Sequence, residues 1–142
     1  MKDIIGTLRE IHHKYRLKNS DVSGHTKSAQ RITKEWQKSI EGDLIRVEVV
    51  VSTSNHEKID AVDFSTSTAY ELKVSGKNAH HEFYKDISKV LTYNEYKPTK
   101  RITKLVFISE QSGIDSLKKR LDPKYCQLLR RVHKLDIELV PI

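Results

Sequence analysis

Between positions 3 and 15 the apolar side chains fall at Ile4, Ile5, Leu8, Ile11 and Tyr15, the spacing of one helix face. KNSDVSGHT (18–26) is rich in turn formers and breaks that pattern. A second helical stripe follows over 27–40, with Ala29, Ile32, Trp36 and Ile40 inward and Thr26 as its cap, and EGD at 41–43 ends it. The period then changes. LIRVEVVV (44–51), KIDAVDF (58–64) and TAYELKV (68–74) are β-rich segments separated by the turns STSNHE and STS, and they predict a three-stranded meander. Helical spacing returns over 79–96, where Phe83, Tyr84, Ile87, Val90, Leu91 and Asn94 share a side. KPTKR stops this helix, because proline cannot continue it. KLVFIS (104–109) is a continuous apolar run, as expected of a strand covered on both faces. Residues 114–134 read as helix interrupted at Asp122 and Pro123, a cap and first-turn pair, and DIELVPI (136–142) closes the chain as a strand.

The predicted order is therefore α, α, β, β, β, α, β, α, β, which implies an α/β fold with a mixed central sheet flanked by helices. With 142 residues and no internal repeat, positions 1–142 form one domain. There is no apolar stretch long enough for a membrane span and no signal-like start, and the single cysteine, Cys126, has no internal disulfide partner. A reducing cytoplasm is the expected location. The net charge of +7 is distributed in local clusters such as Lys118, Lys119 and Arg120, and favours a polyanionic partner, most commonly nucleic acid.

Chemistry enters at Glu71-Leu72-Lys73. The tripeptide pattern alone is uninformative: Glu95-Tyr96-Lys97 repeats it at a polar helix end. Its context separates the two. On a strand, Glu71 and Lys73 point to one face while Tyr70, Leu72 and Val74 point to the other. If STS is the turn, paired positions sum to about 131 to 133, which sets Asp60 opposite Glu71 to Lys73, with Cβ atoms ~4.5–5.5 Å apart. Asp63 is the rival acid, but it has the opposite parity and lies close to the turn. Two carboxylates this close require a cation between them, and hard oxygen donors favour Mg2+, with Mn2+ as a substitute. Lys73 beside such an ion is suited to holding or deprotonating a water, or to stabilising charge on a phosphate.

Asp60, ten intervening residues and then Glu71-Leu72-Lys73, set after a helix carrying Glu35 and before a helix and an apolar strand, resemble the PD-(D/E)XK nuclease superfamily, which includes restriction endonucleases and archaeal Holliday-junction resolvases. The resemblance covers about 27–109 and implies a restriction-endonuclease-like αβββαβ core, with an extra N-terminal helix and a C-terminal helix and strand outside it. It implies Asp60 and Glu71 as metal ligands, the Leu72 backbone carbonyl as a further ligand, Lys73 as the catalytic lysine and Glu35 as a first-helix acid. The proline that often precedes the aspartate in that superfamily is replaced here by Ile59. In such a fold the helix after the third strand lies beside the site, so Lys77, Asn78, Lys85 and Lys89 are candidates to meet a nucleic-acid backbone.

The expected activity is Mg2+-dependent endonucleolytic hydrolysis of DNA, of restriction, repair or junction-resolving type. A homodimer is the natural assembly for cutting two strands. An inactive nucleic-acid-binding module of the same fold and an RNase toxin domain stand as alternatives.

Overall fold

The computed structural model describes residues 3–16 and 22–142, and within these the side chains of 3–15 and 28–142. The elements run α1 (Ile4–Arg16), α2 (Val22–Ile40), β1 (Ile45–Val50), β2 (Lys58–Asp63), β3 (Thr68–Lys73), α3 (Ala79–Tyr96), β4 (Lys104–Ser109), α4 (Gln111–Arg120), α5 (Pro123–His133) and β5 (Asp136–Pro141), with one 3-10 turn at Pro98–Lys100. The predicted order holds. Boundaries shift by a few residues, α4 beginning at Gln111 rather than 114 and α2 at Val22, upstream of the expected cap at Thr26: the Ser, Gly, His and Thr residues there are weak helix formers, yet they continue the helix set by the apolar stripe further along. The remainder of the expected turn, 18–21, lies outside the described residues.

The five strands form one mixed sheet in the order β1-β2-β3-β4-β5. β1, β2 and β3 are antiparallel neighbours, whereas β4 runs parallel to β3 and β5 parallel to β4. The two parallel steps are bridged by helices, as that geometry requires. Helices cover both faces. On one side Leu8, Ile11, Ile32, Trp36 and Ile40 of α1 and α2 pack on Val74, Val106 and Ile108. On the other, Phe83, Ile87 and Val90 of α3, with Ile114, Leu117 and Leu129, pack on Ile59, Ala69, Leu105 and Phe107. β4, sandwiched between the two layers, is buried from Leu105 onward, which explains its unbroken apolar run.

Two polar contacts and one close backbone approach fix the frame. Trp36 Nε1 donates to the Ile4 carbonyl at 3.1 Å and ties α2 to α1. Asn94 pairs both backbone groups of Ile102, donating to its carbonyl at 2.9 Å and accepting its N–H at 2.7 Å. Gly76 and Gly113 bring the loop after β3 against the start of α4: a Cβ on Gly76 would stand 2.7 Å from the Gly113 nitrogen, so only glycine permits the approach. No helix among the described residues is long and apolar enough to cross a membrane.

Candidate functional site

The tight turn between β2 and β3 sets their register at Asp63↔Thr68, Val62↔Ala69 and Ala61↔Tyr70. The next pair along would be Asp60 with Glu71, and there the ladder stops. Side chains take its place: the Asp60 backbone N–H donates to Glu71 Oε1 at 2.7 Å, and the Leu72 backbone N–H donates to Asp60 Oδ2 at 2.8 Å. Each carboxylate satisfies a backbone donor that the parting strands leave without its ladder partner. The site is thus the fork of the hairpin.

A second irregularity faces it from β1. Val47 pairs with Ala61 and Val49 with Ile59, with Glu48 and Asp60 opposite one another between them. Strict alternation would send residues 47 and 49 to one face. Instead Val49 and Ile59 pack with α3, while Val47 and Ala61 pack with α1 and α2. The swap occurs at Glu48, whose φ of 48° is left-handed. For a non-glycine residue this is an uncommon conformation, held here by the surrounding sheet. It lets Glu48 join Asp60 in lining a cleft of about 310 Å3 that is bordered by Gln30, Thr33, Lys34 and Gln37 of α2 and by Lys73. Gln37 donates to the Asp60 carbonyl at 2.9 Å and so fixes the backbone beneath the acid.

Glu71 turns to the α3 side, where it is 1% exposed. Lys89 of α3 forms a close ion pair with its Oε2, pairs with Asp86 Oδ1 at 3.1 Å and donates to the Lys58 carbonyl at 2.8 Å. Asp60, Glu71, Asp86 and Lys89 therefore form one electrostatic cluster. Burial, opposed by the Leu72 N–H and by Lys89, raises the Asp60 carboxyl to about 6. Burial and the charges of Asp60 and Asp86 hold Glu71 well above the usual carboxylate range, and burial also raises Asp86. Lys89 is desolvated, yet its acidic neighbours outweigh that effect and raise it above an ordinary lysine. Carboxylates gathered at such a cost are a frequent signature of functional sites.

The structure thus brings Asp60 and Glu71 together as the register predicts. Lys73 ends β3 at the rim of the cleft and has no salt bridge among the described residues. Glu35 does not join them: its Oε1 accepts from Tyr15 Oη at 2.6 Å and lies 4.0 Å from Lys14 Nζ, which aims it at α1. Of the four residues expected at a nucleic-acid backbone, Lys77 and Asn78 are exposed before α3, and Asn78 takes a left-handed conformation. Lys85 is exposed and lies 3.9 Å from Glu57. Lys89 departs from that expectation, since its side chain is 11% exposed and its ammonium is committed to Glu71 and Asp86.

The sequence reading missed Glu48, Asp86 and Gln37. Signals for them exist: Glu48 is the lone acid in a valine-rich run, and Asp86 falls three residues after Phe83 and one before Ile87, on the inward stripe. For a metal, the donor chemistry is suitable, since Asp60, Glu71 and Glu48 carry hard carboxylate oxygens, although Glu48 and Asp60 line the cleft while Glu71 faces α3. Among the described residues, no three or more of His, Cys, Asp or Glu are arranged to hold an ion, and the cation that now balances Glu71 and Asp86 is Lys89. Comparison of the chain with protein-family models, with curated proteins and with solved structures finds no match.

Proposed function

We propose that this chain is a divalent-metal-dependent nuclease of PD-(D/E)XK type that hydrolyses phosphodiester bonds in DNA. The observation that carries the reading is the fork itself: Asp60 and Glu71 are bonded across two parting strands, and Lys73 follows two residues later at the mouth of a cleft. The element order is consistent with it, since α2, the β1-β2-β3 meander, α3 and β4 follow the αβββαβ sequence of that superfamily.

In this reading Asp60 and Glu71 hold the ion, with Glu48 and the Leu72 carbonyl as further oxygens. Bound there, Mg2+ or Mn2+ supplies the charge that polarises a phosphoryl oxygen. Asp60 keeps its orientation through the Leu72 N–H and the Gln37 contact beneath it. The Lys73 amine orients the attacking water, accepts its proton or stabilises the developing negative charge. Two copies of the chain would supply two such sites for a duplex.

One observation favours a second reading. Lys89 already supplies a counter-charge shared by Glu71 and Asp86, so the cluster has an internal cation of its own. A nucleic-acid-binding module of the same architecture without cleavage is consistent with that arrangement. Incubating the protein with supercoiled plasmid and with structured RNA, in Mg2+ and in EDTA, separates the readings. Metal-dependent nicking of the plasmid supports the nuclease. Binding without products supports the module, and products from RNA alone support an RNase.

A further inference from the structure

α2 carries Arg31, Lys34 and Lys38 on its exposed side, at the three- and four-residue steps that place side chains on one helix face. None of the three forms a salt bridge among the described residues, and the acid beside them, Glu35, is engaged by Tyr15 and Lys14. They line a furrow of about 500 Å3 along α2, together with Tyr15, Gln30 and Glu35. Gln30 and Lys34 line the carboxylate cleft as well, so the furrow and the cleft adjoin at these two residues. The α3 lysines offer no comparable track, because Lys89 is consumed in the cluster and Lys85 faces Glu57.

We propose that the backbone of a DNA strand leaves the carboxylate cleft over Lys34 and runs along the Arg31–Lys34–Lys38 ridge of α2; the choice of partner rests on the nuclease reading. The dimensions agree. Seven residues of helix rise about 10.5 Å, the span of a short run of a single strand's backbone. Side chains on such a ridge meet phosphate rather than base edges, so they contribute affinity and a salt-dependent term without sequence preference.

The test is binding without chemistry. A fluorescein-labelled DNA duplex of a few helical turns is titrated in EDTA, by anisotropy and across a salt series. The proteins compared are the unaltered chain, a R31E/K34E/K38E variant, and a K118E/K119E/R120E control that reverses an equal charge at the end of α4. Circular dichroism checks that each is folded. The α2 variant is expected to bind at least tenfold more weakly, with a salt slope reduced by about 2 to 3, while the control loses much less and keeps its slope. An α2 variant that binds like the unaltered chain overturns the inference. So does a control that loses as much, or an unaltered chain that does not bind DNA. Cleavage in Mg2+ is read separately: ridge-dependent binding with no nicking would sink the nuclease reading alone, and nicking unaffected by the α2 reversal would sink the ridge alone.

Discussion

Glu71 Oε1 accepts the backbone N–H of Asp60 at 2.7 Å, so the two acids are locked to one another where β2 and β3 part. The bond ends the ladder and creates the site in the same place. It also sets the electrostatics, because a fork held by buried carboxylates carries like charges that need a nearby cation or a proton.

Removing the internal cation exposes that conflict. Lys89→Met leaves Glu71 and Asp86 buried without an ammonium, and removing one partner of a buried pair is expected to cost about 3–5 kcal/mol. Urea unfolding in EDTA at pH 8 should show a loss of that order, smaller at pH 5, where the raised carboxyls take up protons. Equal losses at both pH values would mean that Lys89 contributes packing alone.

Asp60 sets a pH dependence of definite sign. Its folded carboxyl sits at about 6 against an unfolded value of 3.8, so between those values the folded state binds the extra proton and this residue's contribution falls as pH rises. Above pH 6 the charged form carries a penalty of up to about 3 kcal/mol. Asp60→Asn should therefore be more stable than the unaltered protein at pH 8 in EDTA, with the advantage gone by pH 4. Thermal melts of both proteins across that range check it, and a variant less stable throughout would contradict it.

Much of this was legible in the chain. The strands, α3 and the unbroken burial of β4 follow from hydrophobic period, and the short turn between β2 and β3 fixes a register that puts Asp60 beside Glu71. The rest depends on tertiary placement. Glu48 sits in a run that reads as continuous strand, and nothing local announces its left-handed backbone. Lys89 reads as a solvated helix lysine until α3 is laid across the sheet over Glu71. Glu35 borders Trp36 in sequence, yet the rotation of α2 directs it to Tyr15 and gives the cleft to Gln30, Lys34 and Gln37.

Glu48 is accordingly a metal-site candidate that motif spacing does not reveal. Glu48→Gln should weaken Mn2+ binding by about tenfold, the lower end of what loss of a supporting group costs a metal site. Calorimetric titration measures it directly, and unchanged affinity would remove Glu48 from the donor set.

The loop after Lys73 depends on contact between two glycines. Gly76→Ala places a Cβ 2.5 Å from Ser112 Oγ and 2.7 Å from the Gly113 nitrogen, and the backbone cannot yield as a side-chain tip can. A loss of about 1–3 kcal/mol is expected, the range for overpacking. An unchanged melting temperature would show that the loop moves freely.

Lys73 is the most direct probe of nuclease activity at the fork, because among the described residues it forms no salt bridge whose loss would disturb the fold. Conversion of supercoiled plasmid to nicked and linear forms is to be followed in Mg2+ and in EDTA, for the unaltered protein and for Lys73→Ala, alongside DNA binding by each. Metal-dependent nicking is expected of the unaltered protein, with a variant that binds DNA nearly as well but cleaves at least a hundredfold more slowly, the lower end of what a positioned acid–base group contributes. Nicking by Lys73→Ala at the unaltered rate, or no metal-dependent nicking by either protein, would contradict it.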